Sequence, residues 1–223
     1  REPPAGSPMT GEMVAYYARR AAEYDAIYAL PHWQRDLESL RRLVPASFAG
    51  RRVFEVACGT GYWTQFAARQ AASVLATDLN EETLALARAR PWPRANVTFR
   101  RVDAYTSSPE PLTFDAGLAA FWLSHVDLGR MTEFLAAFHS HLEPGAPVLM
   151  FDERDTADRR PRESRRDDAG NRYEPRRLAS GERFEIIKNF YPPARLPELV
   201  APHARELVYE ELDALWLLRY QAA

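Results

Sequence analysis

The chain has 223 residues, 46% of them hydrophobic, with 29 basic and 31 acidic side chains and a formal net charge of −2. This length supports one core, and the near-neutral balance gives no basic field of the kind polyanion binders use, so nucleic acid is not an expected partner. The single cysteine, Cys58, excludes an internal disulfide and a cysteine-rich metal site; no metal is expected, and no apolar stretch approaches a membrane span.

Residues 1–10 are rich in Pro and Gly and read as a flexible tail. From Gly11, the positions Met13, Tyr17, Ala21, Tyr24 and Tyr28 recur at helical spacing and predict an amphipathic helix up to Leu30-Pro31. Trp33, Leu37, Leu40 and Val44 repeat the pattern and stop at Pro45, so residues 11–46 are expected to form capping helices. Alternation follows: strand Val53–Ala57, a helix about Tyr62–Gln70, strand Val74–Thr77, a helix about Glu81–Ala89, and strands Val97–Val102 and Phe114–Ala119. Leu128, Met131, Leu135, Phe138 and Leu142 predict a helix closed by Glu143-Pro144-Gly145, before a strand at Pro147–Phe151. Such alternation predicts an α/β fold with a mainly parallel, doubly wound sheet. The segment Asp152–Asn171 is charged and too long for an ordinary connection, which reads as a lid or a disordered loop; in its run Arg159–Asp168 acidic residues nearly offset the arginines. Asn171–Leu178 and Glu182–Lys188 flank Ala179-Ser180-Gly181 as a hairpin, making residues 152–190 an insertion. A short helix near Arg195–Ala201 and apolar runs at Glu206–Glu210 and Ala214–Tyr220 complete one expected domain over residues 11–223.

The most informative stretch is Arg52-Val53-Phe54-Glu55-Val56-Ala57-Cys58-Gly59-Thr60-Gly61, a buried-strand pattern ending in a glycine-paired turn. Such a turn presents backbone N–H groups and a helix N-terminus to a ligand. A dinucleotide fingerprint needs a small third residue where Thr64 stands, so pyrophosphate binding is disfavoured. The next strand ends in Asp78, placed to accept hydrogen bonds from vicinal ribose hydroxyls. A nucleoside is therefore the expected ligand.

At these residues the chain resembles the class I S-adenosylmethionine-dependent methyltransferases, whose first motif is an acidic residue followed by x-x-x-Gly-x-Gly and whose ribose-binding acid closes the second strand. The resemblance runs from about Met13 to Tyr220 and includes Arg101-Val102-Asp103-Ala104 and Phe114-Asp115-Ala116-Gly117-Leu118 as the third- and fourth-strand motifs. It implies a seven-stranded sheet of Rossmann-like type whose last strand is antiparallel, S-adenosyl-L-methionine as cofactor and S-adenosyl-L-homocysteine as product. It assigns to the cofactor Glu55, Ala57, Gly59, Gly61, Trp63, Asp78, Leu79, Asp103, Ala104 and Phe121, with Tyr17, Arg20 and Tyr24 of the first helix either closing over it or serving that helix as core and surface.

The expected acceptor is a small, aromatic or heterocyclic molecule methylated on O or N, less readily on C. Tyr28, His32, Trp33, Trp122 and Tyr191 are candidates for its pocket, because aromatic walls suit a flat ring or a cation. His125, just after the fourth strand, is the candidate catalytic base; a structural histidine is an equal reading. The absence of an Asn/Asp-Pro-Pro-Tyr/Phe or Pro-Cys motif after that strand argues against nucleic-acid base methylation. Two alternatives stay open: a non-catalytic module that keeps the cofactor fold, and a non-methylating use of the cofactor in a decarboxylation or rearrangement. A monomer or homodimer in the cytoplasm, away from membranes, is expected.

Overall fold

A computed structural model describes residues 11–92, 94–108, 114–157, 163 and 165–223. The expected tail at residues 1–10 and most of the run 158–164 lie outside the described residues.

Seven strands form the central sheet: β1 (Arg52–Val56), β2 (Ser73–Asp78), β3 (Val97–Arg101), β4 (Ala116–Ala120), β5 (Pro147–Glu153), β9 (Ala204–Glu211) and β10 (Leu215–Ala222), in the order β3-β2-β1-β4-β5-β10-β9. The first five pair in parallel, and β10 runs antiparallel between β5 and β9. This mixed sheet with helices on both faces is the class I methyltransferase, Rossmann-like architecture that the motifs implied. Strand alternation feeds two cores. Phe54, Val56, Met150 and Leu218 face one side with Phe134 and Phe138 of α5 (Met131–His139), whereas Val53, Val74, Leu149 and Leu217 face the other with Leu37, Leu40 and Val44 of α2 (Gln34–Ser47). Gly117 is required where α5 meets β4: a Cβ there would lie 2.8 Å from Phe138 and 2.9 Å from Leu142.

The N-terminal cap is divided. Met13 and Tyr16 of α1 (Gly11–Arg20) join the first core, and α2 joins the second, so the two helices sit on opposite faces of the sheet. The single helix expected up to Leu30 is α-helical only to Arg20; Ala21–Ala29 and Pro31–Trp33 are 3₁₀ turns. Nor does Pro45 end the second helix. It lies buried in the last turn of α2, where Phe48 N–H closes on its carbonyl. The helix expected at Tyr62–Gln70 is reduced to α3 (Thr64–Ala67) with single turns on either side. The helix α4 (Glu81–Ala89) matches its expected bounds.

The hairpin insertion is present as β7 (Arg172–Arg177) and β8 (Arg183–Ile187), joined by the short β6 (Arg165–Arg166) into a second sheet. It packs against α1, and α6 (Arg195–Val200) leads back to β9. Part of the segment expected to be a lid or a disordered loop is therefore ordered strand.

Candidate active site

Four chain segments leave the carboxyl edge of the sheet around one cavity. Ala57 and Gly59 follow β1, Asp78 through Thr83 follow β2, Val102 and Ala104 follow β3, and Phe121, Trp122 and His125 follow β4, with Tyr17 and Tyr24 closing the top. Crevices outside strand carboxyl ends are where open α/β sheets take ligands. Two non-glycine residues of this wall, Ala57 (φ 52°) and Phe121 (φ 55°), hold left-handed backbone, at a cost of about 1 kcal/mol each. Gly59 (φ 55°) also lines the cavity, and a Cβ on it would meet nothing within 4 Å, so its backbone is open to a close approach.

Asp78 ties this wall together. Its Oδ2 accepts from Gly59 N–H at 2.9 Å, and its Oδ1 accepts from Asn80 N–H at 2.8 Å and Thr83 Oγ1 at 3.2 Å. A carboxylate offers about four acceptor positions, so a ribose hydroxyl can still be accepted. Burial raises the Asp78 carboxyl above the usual range, opposed by these donors. Behind it, burial pushes Glu55 up to about 8, and its Oε2 has no hydrogen-bond partner among the described residues.

A second, wider cleft adjoins the first and shares Tyr17, Tyr24, Phe121 and His125 with it. Its other walls come from α1 and the 3₁₀ turns (Tyr16, Arg20, His32, Trp33) and from the hairpin and its exit (Arg176, Leu178, Lys188). Arg20 lies over the rings of Tyr16 and Tyr24 and donates to Tyr16 Oη at 2.6 Å; it has no carboxylate partner among the described residues. Arg176 donates to the buried Glu174 at 2.8 Å. Lys188 is buried with Ser124 Oγ at 2.9 Å, Asp152 Oδ1 at 3.3 Å and Glu153 Oε2 at 3.4 Å.

His125 stands where the two spaces meet. Its Nδ1 lies 2.7 Å from the Ile187 carbonyl oxygen and its Nε2 lies 2.8 Å from Tyr17 Oη. A carbonyl only accepts, so Nδ1 carries the ring proton and Tyr17 donates to Nε2. Burial, followed by the charge of Lys188, pulls His125 down to about 4, with Asp152 acting in the opposite direction. For Asp152 the penalty of burial is outweighed by Lys188, His125 and the N–H groups of Ser124 and Glu153, which hold it below the usual carboxylate range.

Several expected site residues stand elsewhere. Gly61 serves packing: a Cβ there would lie 3.3 Å from Ala87 and Trp92. Trp63 is buried against Phe151 and Phe121, Tyr28 stacks on Tyr62 at 3.7 Å, and Tyr191 donates to the Leu123 carbonyl; none of the three lines either space. The Asp103 carboxylate turns back to Tyr105 N–H, leaving its neighbours Val102 and Ala104 on the wall. Trp122 faces the inner cavity and not the outer cleft, and Arg20 the reverse; His32 and Trp33 do line the outer cleft. The carboxylates that follow β5 are engaged by cations: Asp152 and Glu153 contact Lys188, and Asp155 contacts Arg172. Asn80, Thr83, Val102, Arg176 and Lys188 escaped the sequence reading. Lys188 carried a signal, since it is the only lysine in the chain.

Residues 53–145 match a family model described as a methyltransferase domain. A structure of DhpI with S-adenosylmethionine and HEP superposes with a TM-score of 0.79 at 28% identity, covering 98% of this chain and 100% of that one. DhpI with S-adenosylhomocysteine gives 0.77 at 29%, covering 95% and 96%. The chain carries a methyltransferase domain over residues 53–145 within the fold of the class I S-adenosylmethionine-dependent methyltransferases. The N-methyltransferase NodS from Bradyrhizobium japonicum WM9, bound to S-adenosylhomocysteine, shares the fold at 16% identity, with a TM-score of 0.65 and coverage of 94% and 97%. No curated protein matches the sequence.

The methyltransferase cofactor fits the observed wall. The inner cavity offers the open backbone of Gly59 and an acid with spare acceptor capacity, and beside them the buried Trp122 Nε1 is a donor without a partner among the described residues. Among the described residues no helix is long and apolar enough to cross a membrane.

Proposed function

We propose that this protein methylates an oxygen or nitrogen of a small aromatic or heterocyclic acceptor held in the outer cleft. The observation that carries this reading is the shared rim: Tyr17, Tyr24, Phe121 and His125 line both spaces, so a cofactor in one meets an acceptor in the other across a single ring of side chains. When bound, S-adenosylmethionine supplies an electrophilic methyl group on a cationic sulfur.

The chain's own residues do the rest. Gly59 and Ala57 offer backbone to the amino-acid end, Asp78 accepts from the ribose, and Leu79, Val102 and Ala104 flank the base. Rings of Tyr24, Trp33 and Phe121 offer a flat surface to the acceptor, with Trp33 and Phe121 stacked at 5.3 Å. Arg20, without a carboxylate partner among the described residues, and Arg176 favour an acceptor bearing an ionised acid group, which guanidinium donors match. His125 provides a lone pair at Nε2 for a proton the acceptor must lose. Alignment and exclusion of water supply most of what such a displacement needs.

The test is calorimetric titration with S-adenosylmethionine and S-adenosylhomocysteine against NAD and FAD, followed by mass analysis of small aromatic acids incubated with protein and cofactor. Binding of the first pair alone and a gain of one CH₂ on an acceptor are expected. An absence of binding to either sinks the reading.

A further inference from the structure

We propose that Tyr17 is a proton-relay residue, through which an acceptor hydroxyl delivers its proton to His125. This deepens the methyl-transfer reading and rests on it. The argument begins with the tautomer. The Ile187 carbonyl, 2.7 Å from Nδ1, fixes the ring proton there, so the only basic nitrogen is Nε2. That lone pair is already engaged by the Tyr17 hydroxyl at 2.8 Å, and the two rings meet edge-on with centroids 5.4 Å apart. An acceptor hydroxyl in the cleft therefore finds Nε2 occupied. It meets instead Tyr17, a residue that lines both spaces and whose oxygen keeps a lone pair while donating to Nε2.

The step balances. The acceptor O–H bond breaks and its proton goes to Tyr17 Oη, while the proton of Tyr17 moves to His125 Nε2. The acceptor oxygen forms its bond to the methyl carbon, and the electron pair of the broken C–S bond stays on sulfur. One positive charge vanishes at sulfur as another appears on the imidazole, so the buried site gains no net charge and the new cation faces Asp152.

The charged and titratable groups around this pair come from every element packed on it: Tyr16, Arg20 and Tyr24 from the N-terminal segment, Asp152 from β5, Arg176 from β7 and Lys188 beyond β8. Burial pushes the Tyr17 hydroxyl well up and pulls His125 down to about 4. Both are neutral across the physiological range, which is the state the relay starts from.

Nitrogen-15 NMR of histidine-labelled protein, free and with S-adenosylhomocysteine, tests the pair without any acceptor. The expected His125 is neutral and protonated on Nδ1 from about pH 5 upward, with an Nε2 resonance that Tyr17→Phe moves toward that of a free lone pair. Calorimetry of the parent and the variant with S-adenosylhomocysteine measures binding of the product separately from the relay. Initial rates are then read with 4-hydroxybenzoate and 3-aminobenzoate as probes. Tyr17→Phe is expected to slow hydroxyl methylation about 100-fold, and methylation of the amine, whose lone pair needs no prior proton loss, far less. An Nε2 resonance indifferent to Tyr17→Phe, a proton on Nε2, or equal loss for both probes overturns the relay. If neither probe is methylated, the resonance alone decides. Failure of the parent protein to bind the product overturns the methyltransferase reading instead.

Discussion

Asp78 carries the most at the scale of single residues, because it faces the ligand space and also holds Gly59, Asn80 and Thr83 in place. Removing an acceptor of charge-assisted bonds costs about 3 kcal/mol, so Asp78→Ala is expected to weaken S-adenosylhomocysteine binding roughly 100-fold. Asp78→Asn, which keeps one acceptor oxygen, should lose less. Calorimetric titration measures both, and unchanged affinity in the alanine variant would remove Asp78 from the site. The place of Asp78 at the strand end was legible in the sequence because it ends an apolar run beside a glycine turn. Asp103 was misplaced for an equally local reason: adjacent residues of extended chain point in opposite directions, so a one-residue difference puts Val102 and Ala104 on the wall and the carboxylate off it. Gly61 and Trp63 stand in the same short turn as Gly59, and only the completed turn shows which of them faces the cavity and which faces α4 or the core.

Among elements, the parallel strands were read close to their bounds, whereas the helices at the N-terminus were not. A 3.6-residue pattern cannot distinguish an α-helix from a chain of 3₁₀ turns once Tyr24 and Tyr28 are held by contacts to Tyr17, Tyr62 and Phe121 from other elements. One junction between elements was invisible in the pattern. Asp36, in the first turn of α2, is buried and accepts from three backbone N–H groups of the β9–β10 turn, those of Asp213 (3.1 Å), Ala214 (2.7 Å) and Leu215 (3.1 Å). Asp36→Ala strands these donors and is expected to cost about 3 kcal/mol, with Asp36→Asn recovering part of it. Urea unfolding midpoints decide this; a loss under about 0.5 kcal/mol would mean water replaces the carboxylate without penalty.

For the molecule as a whole, buried titratable groups set the pH dependence of stability. His125 and His139 are each pulled by burial from 6.5 to about 4, so the unfolded chain takes up their protons first and stability is lost as pH falls from about 6.5 to 4. Glu55 acts in the opposite direction. Burial raises it from 4.5 to about 8, so its contribution is full below about 4.5 and is lost as pH rises through about 8. Histidine protonation destabilises the fold on the acid side and carboxyl ionisation on the alkaline side, so stability is expected to fall in both directions from a maximum between them. Glu55→Gln is expected to flatten the decline between pH 6.5 and 8. Thermal unfolding across that range checks it, and an unchanged alkaline slope would show that Glu55 ionises freely in the fold. Saturating S-adenosylhomocysteine, at about 100 times its dissociation constant, should add about 2.7 kcal/mol of stability in the same assay.

The sequence by itself determined the sheet, its order of elements and the cofactor, because apolar periodicity, a glycine turn and a strand-ending acid are local patterns that need only a few neighbouring residues to act. It did not determine the outer cleft. That cleft is assembled from α1, the hairpin and the turn after β4, whose residues are more than 100 positions apart when Tyr17 meets His125. Only the tertiary structure decided that the one lysine would be buried beside Asp152, that Arg20 would lie over the rings of Tyr16 and Tyr24, and that His125 would be held neutral with its lone pair toward Tyr17. Each of these follows from burial and the direction of a side chain in space, which no spacing along the chain encodes.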